Sequence, residues 1–541
     1  MTSQKLLRRL EVILLSEVIK IYGPPGTGKT STLISKLREE IQNDDLSLKD
    51  VVFISFSNSA INEVCERVGI LRGSRVAPYF RTLHGLCLKN LIKTGKISPD
   101  LIRRMQSKGF VEGLQERFCR EEGIPFERDD GFGASDALGN RVFTAWNAVI
   151  GEFYPESRDI GKCLEMLYNI NYNYGSIIER WLNFKENAGF FDYVDLLIES
   201  FEEGIEIEAK IGFIDEAQDF NRLEFEIVET TIEQLERVYL AGDDDQAIYG
   251  WKGAKPDFYL DLKGEEVILS KTHRLPSRVW NFAKQIITQV ERRKEKEIEP
   301  REDAGVVRIL PKMDIREFLS CAVGTARRHP NLKVFVLFRT NRMVYQAESI
   351  LLENAIPFKR LKGFTFWDKE FVTAWNIVAK LRRKEKLNLD ELKFLVENAN
   401  PDIISEEQKE ILTNLIQSGN IPITLFEALH KLPILDLIAL RRKRAKKLLE
   451  KAWKPIDFEK INLYIDTIHA SKGAEADIVF LADAITSPIV SAINNGHRDD
   501  ELRVFYVGST RARKALFVAP LVEYKSFLEE VIAYAPICQS A

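Results

Sequence analysis

The sequence predicts an α/β protein with two parallel sheets, each carrying a mainly helical insertion. Short apolar runs, rich in β-branched and aromatic residues and each too short for a helix, recur at 18–22, 51–55, 211–214, 238–241, 333–338, 478–482 and 516–519. They read as buried strands. Helical spacing lies between them, the alternation that builds parallel sheets. The runs fall into two clusters, and the segments at about 91–175 and about 379–459 are instead rich in Leu, Glu, Lys and Arg at helical spacing.

Length and composition agree with this. At 541 residues, 45% hydrophobic and 29% charged, the chain suits a soluble globular protein of several domains and excludes a mainly disordered, collagen-like or membrane-spanning one. The start has Lys5, Arg8 and Arg9 ahead of an apolar stretch, but Glu11 and Glu17 interrupt it and no small-residue cleavage site follows. Cys65, Cys87, Cys119, Cys163, Cys321 and Cys538 are widely spaced without a C-x-x-C pair, so neither zinc nor an iron–sulfur cluster has ligand spacing. Reduced thiols place the chain inside the cell, cytoplasmic and nucleoid-associated if prokaryotic. The last four residues, Cys538-Gln-Ser-Ala541, match a prenylation box only formally, because Gln539 and Ser540 are not aliphatic.

The formal charge is −4, which gives no global attraction to nucleic acid; any phosphate-binding surface has to be local. The strongest basic run, Arg441-Arg-Lys-Arg-Ala-Lys-Lys447, reads as a solvated helix face, a phosphate-contacting face or a chance match to a nuclear-localisation pattern.

Directly after the first strand stands Gly23-Pro-Pro-Gly-Thr-Gly-Lys-Thr30, opening a helical pattern. That is a P-loop in its strand–loop–helix context. Its glycines let backbone N–H groups curl around a polyphosphate, Lys29 reaches the β and γ oxygens, and the Thr30 hydroxyl ligates Mg²⁺. Gly23, Pro24, Pro25, Gly26, Thr27, Gly28, Lys29, Thr30 and Ser31 are therefore the candidate ATP-binding residues. A nucleotide hydrolase also needs an acid at a second strand end. Ile214-Asp-Glu-Ala-Gln-Asp219 supplies Asp215 to orient the metal and Glu216 to accept a proton from the attacking water.

These residues belong to an ordered series. Phe53-Ile-Ser-Phe-Ser-Asn-Ser-Ala60, Arg81-Thr-Leu-His-Gly-Leu-Cys87, Ala241-Gly-Asp-Asp-Asp-Gln-Ala-Ile-Tyr-Gly-Trp-Lys-Gly-Ala254, Thr272-His-Arg274, Phe335-Val-Leu-Phe-Arg-Thr-Asn341, Thr467-Ile-His-Ala-Ser-Lys-Gly473 and Val507-Gly-Ser-Thr-Arg-Ala512 follow the P-loop. The series resembles the superfamily 1 DNA helicases of the UvrD/Rep family across nearly the whole chain. The resemblance implies two RecA-like domains, the first at 1–90 and 176–272 with insertion 91–175, the second at 273–378 and 460–541 with a short insertion 379–459. It implies an ATP-dependent helicase moving 3′ to 5′ on single-stranded DNA, with Mg²⁺ as cofactor, tailed duplex DNA as a further partner, a role in DNA repair or replication, no membrane, and a monomeric or loosely self-associating chain. Carried over, Gln246 couples the γ-phosphate to DNA, and Arg274 and Arg511 stabilise charge on the transferring phosphoryl group. Glu475 and His273 join the ATP residues. The DNA contacts are Phe56, Asn58, Thr82, His84, Tyr249, Trp251, Lys252, His469 and Ser471, combining aromatic stacking with backbone contact. Acidic residues are expected to stand clear of this track.

On residues alone, Phe56 at a strand end also reads as core, and His84 and His469 also read as capping or core-polar histidines. Trp251, in a polar loop, reads as functional. Two positions depart from the family pattern. Ser31 stands where an arginine usually faces the adenine, and His273 stands where a tyrosine does. The adenine-reading glutamine motif has only Gln4 as a counterpart. A translocase that displaces proteins with little unwinding, or works on RNA, carries the same motifs; an ATP-gated DNA-binding switch would need neither Glu216 nor Arg511.

Overall fold

The computed structural model describes residues 16–43, 46–98, 100–101, 110–127, 137–154, 174–363, 365–419, 421–439 and 445–532. Gln4, Cys163, Cys538, the last four residues and the 441–444 part of the basic run lie outside the described residues. The chain divides into two compact units, Met1–Val306 with Ser487–Lys514, and Val307–Thr486 with Ala515–Ala541.

The first unit is built on six strands, β1 (Glu17–Tyr22), β2 (Val51–Ser55), β3 (Tyr79–Thr82), β4 (Ile211–Ile214), β5 (Arg237–Gly242) and β6 (Glu265–Ile268), in the order β3-β2-β4-β5-β1-β6. Every neighbouring pair is parallel. Alternate side chains supply opposite faces. Ile19, Ile21, Phe53, Phe213 and Tyr239 pack with Leu33, Ile34 and Leu37 of helix α1 (Lys29–Asn43) and with Ile61 and Val64 of α2 (Asn58–Val68). Val18, Val52, Ile54, Val238 and Leu240 pack on the other face with Leu83 and Leu86 of α3 (Leu83–Lys93) and with Leu223 and Val228 of α4 (Arg222–Ile232).

Lys20, in a central strand, is 2% exposed. Its ammonium donates to the Leu260 and Leu262 carbonyls and pairs with Glu266 Oε1 at 3.2 Å, which together satisfy a charge that the strand otherwise could not bury. Helices Phe110–Glu121, Leu138–Phe153 and Tyr174–Ala188 follow α3, around an aromatic cluster of Phe118, Phe143, Trp181 and Phe190. Strands β7 (Lys271–Pro276) and β8 (Glu299–Arg301) form a separate parallel pair. Between them α5 (Ser277–Ile287) packs on α6 (Arg498–Ser509) inside this unit.

The second sheet, in the second unit apart from Val306 and Ala512–Lys514, is formed by β9 (Val306–Ile309), β10 (Val334–Phe338), β11 (Lys359–Arg360), β12 (Leu463–Thr467), β13 (Ala476–Asp483) and β14 (Ala512–Pro520), in the order β11-β12-β10-β13-β14-β9. The β10–β12, β10–β13 and β11–β12 pairs are parallel. Between β11 and β12 the helices Lys369–Arg382, Leu389–Glu397, Glu406–Ser418 and Ile423–Leu429 enclose an apolar cluster that includes Leu381, Leu392, Leu395, Ile416 and Leu429. The two RecA-like sheets with helical insertions are thus present. Cys65, Cys87, Cys119 and Cys321 are free thiols. No helix among the described residues is long and apolar enough to cross a membrane.

Candidate functional site

Parallel pairing aligns the carboxyl ends of the first sheet: Tyr22 stands opposite Gly242, and Ile54 opposite Ile214. Ligands of open parallel sheets bind at this edge. The loop after β1 turns on Gly26 and Gly28, whose φ angles of 79° and 84° lie in the left-handed region that favours glycine. Gly26 has no room for a side chain either, since a Cβ there would lie 2.4 Å from Arg274 Cβ and 2.8 Å from Thr272 Oγ1. Strand β7 braces the loop: Thr272 Oγ1 donates to the Pro25 carbonyl (2.7 Å) and the His273 N–H to the Gly26 carbonyl (2.9 Å). Thr27 Oγ1 closes the turn on the Pro24 carbonyl at 2.8 Å. Lys29 Nζ donates to the Gly23 carbonyl at 2.9 Å, and Ser31 is exposed one residue beyond Thr30.

The end of β4 supplies the acids. Thr30 Oγ1 donates to Asp215 Oδ2 at 2.8 Å. Burial, then the neighbouring Glu216, raise the Asp215 carboxyl to about 6, against the pull of Lys29 and Thr30. Two hard oxygens beside a phosphate loop fit Mg²⁺, which takes few protein ligands and keeps waters and phosphate oxygens for the rest. Among the described residues no cluster of three or more His, Cys, Asp or Glu side chains could hold a metal by itself. Glu216 has φ 56°, a left-handed conformation that costs a non-glycine residue on the order of 1 kcal/mol. Its carboxylate lies 4.0 Å from Lys29 Nζ and accepts from Gln218 Nε2 at 2.6 Å. Gln218 Oε1 in turn accepts from the Asp243 N–H at 2.9 Å, so one buried amide ties the end of β4 to the end of β5.

After β5, Gln246 Nε2 donates to Asp243 Oδ2 at 2.6 Å, while Gln246 Oε1 accepts from Arg511 Nη2 at 3.0 Å. Arg511 is 1% exposed and also donates to the Val507 carbonyl (2.9 Å) and to Thr510 Oγ1 (3.0 Å). Arg274 and Arg511 thus both lie in the first unit, Arg274 against the phosphate loop and Arg511 on Gln246.

The expected DNA contacts of this unit also converge. The Phe56 and Tyr249 rings stack at 5.3 Å and 21°, so Phe56 is half-buried rather than core. Lys252 Nζ sits 4.0 Å from the Phe56 ring centroid and 3.5 Å from Glu224 Oε2. A carboxylate therefore does enter the patch, held by that lysine, against the expectation that acids stand clear of it. Burial pushes the His84 imidazolium down, opposed by Glu224 and reinforced by Lys252. Thr82 caps α3, accepting from the Gly85 N–H at 3.2 Å. Asn58 is exposed in the first turn of α2 and accepts from Arg72. Trp251 is 62% exposed.

The other three expected residues lie in the second unit. His469 and Ser471 form the turn after β12, where the buried Ser471 hydroxyl donates to the Ile468 carbonyl at 2.6 Å. Glu475 precedes β13 and is half-buried.

Comparison with known proteins agrees. The UvrD/REP helicase N-terminal domain model matches residues 8–116 and 167–266, and the UvrD-like helicase C-terminal domain model matches residues 382–522. The chain belongs to the UvrD/Rep helicase family. A probable DNA helicase II homolog of Mycoplasma capricolum is 21% identical over 94% of this chain and 82% of its own length. The ATP-dependent DNA helicase PcrA of Staphylococcus epidermidis is 22% identical over 84% of this chain and 64% of its own. That of Staphylococcus aureus is 22% identical over 84% and 63%. The chain thus spans just under two thirds of the staphylococcal relatives' length. The solved structure of the PRRSV helicase aligns with a TM-score of 0.33 and 11% identity over 95% of this chain and 54% of that one, too distant to carry an argument.

In this UvrD/Rep-family helicase several residues at the site escape sequence reasoning. Gln218 sits inside a motif whose neighbouring carboxylates draw the attention. Arg67, on α2, places Nη2 2.9 Å from Ser31 Oγ, so a guanidinium stands beside position 31 although the residue there is serine. Tyr193 is 59% exposed with its ring 6.0 Å from His84, edge to face, and extends the aromatic patch. It is presented by the capping box of helix Tyr193–Glu203, whose Asp192 and Asp195 share the buried Lys185 ammonium at 2.9 and 2.6 Å. No local signal marks Arg67 or Tyr193, because each acts across packed elements distant in sequence.

Proposed function

We propose that this protein is an ATP-driven helicase that moves 3′ to 5′ along single-stranded DNA and opens tailed duplexes, using Mg²⁺. The observation that carries the proposal is the meeting, at one sheet edge, of a phosphate-cradling loop, the Thr30–Asp215 oxygen pair, Glu216 and the Gln246–Arg511 pair. A binding switch has no use for a proton acceptor and a guanidinium together.

In this reading Lys29 exchanges the Gly23 carbonyl for phosphate oxygens. Thr30 and Asp215 would hold Mg²⁺, which when bound would neutralise phosphate charge. Glu216, held by Gln218, accepts the proton of the attacking water. Arg511 and Arg274 stabilise the charge that develops on the transferring phosphoryl group, and Gln246 relays occupancy to the aromatic patch. Phe56, Tyr249, Trp251 and Tyr193 offer faces to bases of any sequence, while Asn58, Thr82, His84 and Lys252, with His469 and Ser471 of the second unit, contact the backbone.

Unwinding assays on 3′-tailed, 5′-tailed and blunt duplexes test the direction, with opening expected only from 3′ tails. Opening only from 5′ tails rejects the polarity, and hydrolysis without any opening favours a protein-displacing translocase. Arg67 is proposed to supply the cationic face that Ser31 lacks. At an exposed cation–π contact of about 0.5–1 kcal/mol, Arg67→Ala should raise the KM for ATP roughly two- to fivefold with kcat unchanged. An unaltered KM in steady-state hydrolysis removes Arg67 from the base site.

A further inference from the structure

Residues 291–297 spell Glu-Arg-Arg-Lys-Glu-Lys-Glu, a pattern that reads as solvated surface. Lys296 breaks that pattern. Its side chain is fully buried, with Nζ 2.9 Å from Asp243 Oδ1, 3.0 Å from Asp245 Oδ2 and in contact with Asp244 Oδ1. Arg293 also binds Asp245, through two hydrogen bonds of 2.8 and 2.6 Å. Tyr506 is buried, and burial, then the charges of Asp243 and Asp245, hold its phenol well above the usual range against Arg293 and Arg511.

Asp243 is the pivot of this cluster. One of its oxygens accepts from Lys296, the other accepts from Gln246 Nε2, and Gln246 Oε1 accepts from Arg511. This sequence of donors and acceptors sets which way the Gln246 amide faces only while Asp243 accepts at both oxygens. The geometry points to Lys296 as a positioning residue for ATP hydrolysis, one that pins one oxygen of Asp243 so that the other oxygen holds Gln246, and with it Arg511, in place; this rests on the ATPase function proposed above. Burial pulls the Lys296 ammonium down, but Asp243, Asp245 and Asp244 more than reverse it. Even so, burial raises Asp244 to about 6 against the lysine and with the two other carboxylates. Without Lys296, Arg293 still holds Asp245, but Asp243 loses the donor at its Oδ1 and the buried carboxylates lose the ammonium between them. Freed at Oδ1, the Asp243 carboxylate can turn away from Gln246 Nε2 and release the amide.

The test is steady-state hydrolysis of Mg-ATP, with and without a single-stranded oligo(dT), accompanied by thermal melts. Lys296→Met should lower DNA-stimulated kcat by about tenfold or more, since small misplacements of catalytic groups cost that much, with the KM for ATP within about twofold because the phosphate loop is untouched. Adding Asp244→Asn should bring kcat back to within about threefold of wild type, by removing one buried charge while leaving Asp243 in place. Adding Asp243→Asn, at the same net charge, should restore nothing. Where the single variant does not fold, the contrast between the two double variants still decides. Wild-type kcat in Lys296→Met, or equal behaviour of the two double variants, overturns the role and leaves a purely structural ion pair. A wild-type protein without DNA-stimulated hydrolysis overturns the function itself, and this role with it.

Discussion

Lys29→Ala is expected to lower DNA-stimulated ATP hydrolysis by roughly 10² to 10³, the effect of losing one preorganised donor to developing charge. The side chain lies between the loop and the acids, with Nζ on the Gly23 carbonyl and 4.0 Å from Glu216. Its loss therefore removes the charge facing the phosphates and also a cation near the proton acceptor. Folding should change by only about 1 kcal/mol, the worth of one hydrogen bond, so a melt within a few degrees of wild type keeps the result interpretable. Phosphate release with saturating single-stranded DNA is the measurement. Full residual turnover would remove the nucleotide assignment and every role built on it.

Arg511→Ala should reduce kcat still further, on the order of 10³ or more, as for arginine fingers, while ATP binding changes much less. The guanidinium is committed to the Val507 carbonyl, Gln246 and Thr510, so it is rigid, aimed and coupled to the residue expected to sense phosphate. Arg511→Lys should not rescue, because an ammonium cannot reproduce the planar fork. Truncating a buried side chain also costs stability, so hydrolysis has to be compared at a temperature where both proteins are folded. A kcat within tenfold of wild type would sink the finger role.

The legibility of the fold followed burial. Strands β1, β2, β4 and β5 lie inside their sheet and need continuous apolar runs, so they show at once. Strands β3 and β6 are the two edges of the same sheet. Reading Tyr-Phe-Arg-Thr and Glu-Glu-Val-Ile, they carry polar side chains that an edge tolerates, and no apolar run betrays them. β12 is interior and still escapes, because Asp466 interrupts its run. That carboxylate is tolerated because Arg360 holds it with hydrogen bonds of 2.9 and 3.1 Å, a partner 106 residues away that no local pattern reveals.

The candidate site divides along the same line. The sequence alone determined the phosphate loop, the Asp215–Glu216 pair and the aromatic loop ending at Trp251, because each is a contiguous string whose chemistry depends on neighbours one to eight residues apart. Only the tertiary structure decided that Thr272 and His273 brace the phosphate loop, that Gln218 ties two strand ends together, that Arg67 stands beside Ser31, and that a lysine from a charged run lies buried under the Gln246–Arg511 pair. The physical reason is common to all four. A hydrogen bond or an ion pair between elements distant in sequence depends on sheet order, register and helix packing, and those are settled over the whole unit rather than by any local spacing.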